Sequence, residues 1–433
     1  MITAVREFGR GLTQPFGAPA GNVEAFIEVP FMLGEKRCYP DGLIRVTRGQ
    51  RSWTALVEVK TGTNELATEQ LENYLDIARE QGFDALITIS NEISPLAGQH
   101  PTKVDKRKLR KVDMHHLPWS QILAEAVVQK EHRGVADPDQ AWILGELIRY
   151  LEHPRSGALE FEDMGASWVP VRDAIGAGTL RASDKGVTDV AARFDALLRY
   201  ASLRLGRTLG TEVVPALTRR EMAEPALRTT ALVDSLVRDG RLSGAIRIPH
   251  AVAPLNIELD LRANRVTCHV DVDAPREGRP TTRVNWLVRQ LKVAPDAVRI
   301  EAFAMHARGA GATELLKAVR EEPAVLVQDP KREIRSFRIA LSSPLGTKRG
   351  RGRGAAIDSV LEAVESFYGE VLQNLKTWTV AAPKMREAAE LPKAQSPALA
   401  STALSSQDGI EPAPTPADDD AFDGDGEEAV ASV

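Results

Sequence analysis

Three side chains among the first sixty residues have the types and spacing to do chemistry: Asp41, Glu58 and Lys60. Ala55 to Lys60 alternates as a strand, with Ala55, Val57 and Val59 on one face and Leu56, Glu58 and Lys60 on the other. Glu58 and Lys60 thus project from one face at the end of an apolar run. Asp41 just precedes a second candidate strand, Leu43 to Val46, and pairing of the two strands would bring it beside Glu58. Adjacent carboxylates repel and are costly unless a cation lies between them. A lysine two residues on can orient or polarise a nearby water. Gln70 and Tyr74, four apart on the helix that follows, share a face and can both point back at this place. The plain alternative is a solvated Glu58–Lys60 pair on an edge strand, with Asp41 a turn residue.

An Asp, a spacer, then Glu-x-Lys at the end of the next strand resembles the signature of the PD-(D/E)XK nuclease superfamily. The Lys60-Thr61-Gly62 ending and the Gln70–Tyr74 pair are similar to its RecB-like branch. The resemblance spans roughly residues 24 to 120. It implies an α/β fold with a restriction-endonuclease-like core, in which Asp41 and Glu58 hold Mg²⁺ (or Mn²⁺) and the carbonyl of Val59 adds a ligand. Lys60 would position or activate the attacking water, Gln70 would orient the site or touch nucleic acid, and Tyr74 would hold Gln70 or pack. The implied activity is hydrolysis of phosphodiester bonds, in DNA by family habit, with a role in defence or repair. Many members bring a further glutamate from an upstream helix. Glu24 and Glu28 are the acidic candidates here, and the prolines and glycines of residues 1 to 23 argue against a long helix before them. The rival reading is a binding or scaffold protein of a stress or defence system that keeps the fold without the chemistry.

The elements that must position these residues are legible around them. Glu24 to Leu33 reads as a first strand. Leu66, Ala67, Leu71, Tyr74, Leu75 and Ala78 form a helical stripe, with Asn64 as its N-cap and Gly82 as its stop. Asp84 to Ser90 and Val112 to His116 read as further strands, and Ser120 to Lys130 as a helix. His115 and His116 read as packing or capping groups. Between these strands Lys103, Lys106, Arg107, Lys108, Arg110 and Lys111 crowd into nine residues. They are a solvated loop or, beside a nuclease site, contacts to phosphate.

From Asp137 the pattern turns helical. Trp142, Leu144, Leu147, Ile148 and Leu151 form a face that Pro154 ends, residues 163 to 178 read as a packed connector, and Val187 to Leu205 is a strong helix. A second α+β part follows: a helix over Ala226 to Arg238, strands at Ala245 to Ile248, Leu255 to Leu261 and Val266 to Val272, and a helix at Thr282 to Leu291. Asp271 and Asp273 share a strand face, more fitting for solvent than for a metal. Arg349, Arg351 and Arg353, spaced by glycine before a helix from Ile357 to Leu375, could reach phosphates. The expected division is a nuclease-like domain over 1–135, a helical region over 136–212, an α+β domain over 213–380 and a disordered acidic tail over 381–433.

Composition bounds the rest. A chain of 433 residues exceeds a single core. Its 43% hydrophobic and 27% charged residues suit a soluble globular protein, and no run is long and apolar enough to span a bilayer. Two distant cysteines and eight histidines form no metal-ligand pattern, which leaves the cytoplasm as the default location. The net charge of −5 conceals an asymmetry. From Met385 onward two basic residues face eleven acidic ones, so the body is mildly basic and suited to DNA. A homo-oligomer or a protein partner engaged through the C-terminal domain is a further expectation.

Overall fold

The computed structural model describes residues 1–94, 99–158, 160–307 and 309–380, and the tail expected over 381–433 lies outside the described residues. Although residues 1 to 23 carry no clear periodicity, they hold a short helix, α1 (Arg6–Thr13), whose Phe8 and Leu12 lie four apart and are buried. Strand β1 (Asn22–Ile27) is shorter than the run expected to Leu33. Glu28 takes a left-handed φ of 51° and Pro30 follows, so the strand cannot continue. A small hairpin comes next, β2 (Phe31–Leu33) with β3 (Lys36–Cys38). Then come β4 (Gly42–Arg48), β5 (Arg51–Val59), α2 (Thr68–Gln81), β6 (Ala85–Ser90), β7 (Asp113–Pro118) and α3 (Trp119–Val127).

These strands form a mixed sheet in the order β1-β4-β5-β6-β7, antiparallel as far as β5 and parallel from β5 to β7. Parallel neighbours need a crossover, and α2 supplies the first. Gly82 ends it with a left-handed φ of 68°. Asn64 is not its N-cap. The helix starts at Thr68 behind Ala67, and the Asn64 amide donates instead to the Thr61 carbonyl in the turn after β5.

The alternation of β5 splits two apolar layers. Ala55 joins Val46, Ile87, Leu117, Phe8 and Ile122 on one side; Leu56 joins Leu43, Leu86, Leu71 and Leu75 on the other. Helix α4 (Pro138–Glu152), capped by Asp137, packs on the first side through Leu144 and Leu151. Trp142 does not share that face and is 67% exposed. Residues two apart on a helix point about 200° from one another, so Trp142 and Leu144 cannot both be buried.

The expected connector over 163 to 178 contains a helix, α5 (Trp168–Gly176), because Trp168 is fully buried and anchors it. After α6 (Lys185–Leu209) the chain runs through β8 (Val214–Pro215), α7 (Arg219–Ala223), α8 (Pro225–Asp239), β9 (Arg241–Arg247), β10 (Leu255–Asp260) and β11 (Arg265–Asp273). It continues through α9 (Pro280–Gln290), β12 (Arg299–Ala304), β13 (Ala312–Leu315), α10 (Leu316–Glu321), β14 (Ile334–Pro344) and α11 (Ala356–Glu370). The strands make a second, antiparallel sheet in the order β13-β12-β14-β11-β10-β9-β8. Its apolar face shares one core with α5, α6, α8, α9 and α11. The middle helices therefore form no layer of their own: α4 joins the first sheet, and α5 and α6 join the second. Met1–Thr379 cluster as one compact unit, and no described helix is long and apolar enough to cross a membrane.

Candidate active site

Strand register brings the three residues together. Gly42 pairs with Val57 across β4 and β5, so Asp41, one residue earlier, stands across from Glu58. Glu58 pairs in turn with Thr88, and Thr88 with His116. A polar row thus crosses the sheet at the carboxyl ends of its parallel strands, where open α/β sheets carry their ligand sites.

Glu58 is 1% exposed. Lys60 Nζ pairs with its Oε1, while Oε2 is buried with no hydrogen-bond partner. Burial pushes the Glu58 carboxyl above the usual carboxylate range; the lysine pulls it back, and the neighbouring Asp41 pushes it up again. Asp41 is exposed, and its Oδ2 accepts the Val59 N–H at 2.7 Å, which ties the start of β4 to the end of β5. Lys60 is held at both backbone groups. Its N–H donates to the Ile89 carbonyl at 2.8 Å, and its carbonyl accepts the Trp119 indole N–H at 3.0 Å.

Tyr74 lies near the two carboxylates, and Gln70 is bound to Tyr74. The Gln70 amide donates to the Tyr74 hydroxyl at 3.1 Å, and that hydroxyl donates to the Tyr39 carbonyl at 3.0 Å, two residues before Asp41. Burial raises the Tyr74 phenol to about 12, with the charges of Glu58 and Asp41 adding to the effect.

The histidines close a separate circuit. Thr88 Oγ1 lies 2.7 Å from His100 Nε2 and 2.8 Å from His116 Nδ1, and His116 Nε2 lies 2.8 Å from the Glu92 carbonyl. Burial lowers His116 to about 4 and depresses His100, so both rings are neutral at pH 7. One proton order runs through the chain of groups, leaving the Thr102 carbonyl, 3.0 Å from His100 Nδ1, and the His115 carbonyl, 3.3 Å from Thr88 Oγ1, without a proton. The Thr102 N–H donates to His100 Nδ1, His100 Nε2–H to Thr88, Thr88 to His116 Nδ1, and His116 Nε2–H to the carbonyl. Both ring nitrogens of His116 are thus engaged, whereas His115 stacks on Phe16 at 4.3 Å with its Nε2 buried and without a hydrogen-bond partner. Reading the chain in order passes over Thr88 and Trp119; the register of parallel strands places Thr88 here, and Trp119 reaches the Lys60 carbonyl from the start of α3.

Of the basic residues, Lys108 is committed to Asp76, while Lys106, Arg107, Arg110 and Lys111 are exposed. The glycine–arginine loop differs from the expectation. Arg351 donates to Asp358 at 2.7 Å and to Glu160 at 3.0 Å, Arg349 lies 3.4 Å from Asp163, and Arg353 is exposed. Asp358 beside the loop, with Glu160 and Asp163 from a distant segment, thus pairs with two of the three arginines that read as free charge in the sequence. Asp271 is gripped by Arg338, as a solvent-face pair rather than a metal ligand.

The donor set beside Lys60 fits a hard divalent cation: two facing carboxylates, one with a buried oxygen that nothing satisfies. Among the described residues, no three His, Cys, Asp or Glu side chains are grouped to hold a metal ion, so protein side chains would supply only part of a coordination shell. No protein-family model matches the chain, and no curated protein or solved structure is similar enough to match it.

Proposed function

We propose that this chain is a metal-dependent nuclease that hydrolyses phosphodiester bonds of DNA, built on a restriction-endonuclease-like core. The observation that carries the reading is Glu58: a buried carboxylate facing Asp41, with one oxygen on Lys60 and the other on nothing. Burying an unsatisfied charge is costly, and a site that binds a cation removes the cost.

Asp41 and Glu58 would hold Mg²⁺ or Mn²⁺, with the Val59 carbonyl adding a ligand. Such an ion stabilises charge on a scissile phosphate and acidifies a bound water. The chain's own residues supply position. Lys60, fixed at its N–H and carbonyl, holds its ammonium beside Glu58, where it can orient a water and balance a phosphate oxygen. Gln70 donates its amide to the Tyr74 hydroxyl and would orient the site or touch nucleic acid from there. The exposed Lys106, Arg107, Arg110 and Lys111 supply sequence-independent attraction to the backbone.

The test is cleavage of single- and double-stranded DNA by purified protein with Mg²⁺ or Mn²⁺, abolished by EDTA. Glu58→Gln should lose metal binding and activity together; Lys60→Ala should lose activity and keep the metal. Equal activity in wild type and both variants would sink the assignment.

A further inference from the structure

The segment leading into Asp41 carries a row of side chains that neither the fold nor the carboxylate site uses. The hairpin pairs Phe31 with Cys38 and Met32 with Arg37. Cross-strand partners share a face, so these two pairs point opposite ways. Inward, Phe31 packs edge-on against Phe83 at 5.8 Å and Cys38 is buried. Outward, Met32 is 55% and Tyr39 50% exposed, with the Arg37 guanidinium 5.3 Å from the centre of the Tyr39 ring. The mounting is rigid. The Tyr39 carbonyl accepts the Tyr74 hydroxyl, and Pro40 behind it is buried and confines Tyr39 to extended backbone. Asp41 follows, tied to Val59.

We infer that Tyr39, backed by Arg37, is a stacking platform for an unpaired nucleobase beside the bond to be cut. Single-stranded nucleic acid is then the substrate class. This inference rests on reading Asp41, Glu58 and Lys60 as a nuclease site. A base inside a duplex offers its edges but not its faces, whereas an unpaired base of any identity offers a face to an aromatic ring. Arg37 covers one side of the Tyr39 ring, strengthens the stack by cation–π attraction and brings positive charge to the adjoining phosphate. Met32, beside Arg37 on the same face, extends the platform with a polarisable thioether.

The experiment measures fluorescence anisotropy of labelled oligonucleotides with the full chain in EDTA, so that binding is read without cleavage. The probes are oligo-dT, oligo-rU and a blunt DNA duplex of the same length. Wild type should bind a single strand more tightly than the duplex. Tyr39→Ala should weaken single-strand binding about tenfold and leave duplex binding alone, and Tyr39→Trp should restore it. The stronger of the dT and rU probes names the nucleic acid. Single-strand affinity unchanged in Tyr39→Ala, or unrestored by Trp, overturns the platform, as does binding to none of the probes. A cleavage assay with Mn²⁺ separates the two ideas. Cleavage by wild type with Tyr39 irrelevant to binding sinks the platform alone. Tyr39-dependent binding without any cleavage sinks the nuclease reading alone.

Discussion

Two buried carboxylates in this molecule meet the same cost in opposite ways. Asp195 on α6 is 5% exposed, and burial raises its pKa while Arg228 of α8 pulls it down. The Arg228 fork spans both carboxylate oxygens, at 2.9 Å to Oδ1 and 3.3 Å to Oδ2, and also donates to the Ser243 carbonyl at 2.7 Å. Glu58 is buried as deeply, yet its cation is a lysine on one oxygen, its other oxygen has no partner, and a second carboxylate stands across from it. A planar guanidinium can satisfy a carboxylate completely; a point-like ammonium cannot. The first arrangement is complete as it stands and holds α6, α8 and β9 together. The second is completed only by something that arrives.

That contrast can be broken at either end. The largest effect expected is on the closed pair. Arg228→Ala leaves Asp195 buried without its charge partner and should cost about 3–5 kcal/mol in denaturant unfolding, with cleavage per folded molecule unchanged. A loss below about 1 kcal/mol would mean that Asp195 is not held as the geometry implies.

At the open pair the loss should be functional. Glu58→Gln should lower cleavage by about a hundred- to a thousandfold, with Mg²⁺ binding abolished by calorimetry. Its unfolding free energy should fall by less than that of Arg228→Ala, and the reverse order would make Glu58 a structural residue.

Asp41→Asn sharpens the comparison through pH. Glu58 holds its proton more tightly in the folded, metal-free protein than in the unfolded chain. Its contribution to stability therefore falls as pH rises from the ordinary glutamate range through its raised folded value. Asparagine keeps an acceptor for the Val59 N–H and removes the charge that helps raise Glu58. The variant should gain about 0.5–1 kcal/mol at neutral pH in EDTA, with a shallower decline on the alkaline side of that interval. Mg²⁺ should then stabilise wild type more than the variant. Identical melting curves in EDTA and in Mg²⁺ would remove the argument for repulsion.

The smallest effects concern the two basic runs. Changing Lys106, Arg107, Arg110 and Lys111 to Ala should flatten the salt dependence of DNA binding, by about 0.9 in slope for each phosphate that is no longer neutralised. Arg351→Ala should leave that slope alone and lower the melting temperature, since its guanidinium is already held by Asp358 and Glu160. The opposite result would return the glycine–arginine loop to the DNA surface.

Much of the scaffold around Glu58 was legible in residue order because it depends on local period. The alternation through β5 assigned Leu56 and Glu58 to one face and Ala55 to the other, and the structure buries them so. The stripe of α2 and its stop at Gly82 follow from the 3.6-residue repeat and from glycine's tolerance of a left-handed backbone. The same logic fails where a pattern is too short or too wide. Phe8 and Leu12 are too few to announce α1, and five apolar residues on α4 wrap farther round the helix than one core can cover, so Trp142 is left in water.

What residue order alone determined, then, is which side chains share a face within one element, because that depends only on backbone geometry over a few residues. What tertiary structure decided is who meets whom across elements. Asp41 faces Glu58 because the turn between β4 and β5 sets their register, and Thr88 and His116 join the row because parallel pairing aligns strands separated by α2 and by the 91–112 segment. Arg351 loses its freedom to Glu160, 191 residues away. Contacts of that reach are chosen by packing of whole layers, which no local pattern of apolar and charged residues encodes.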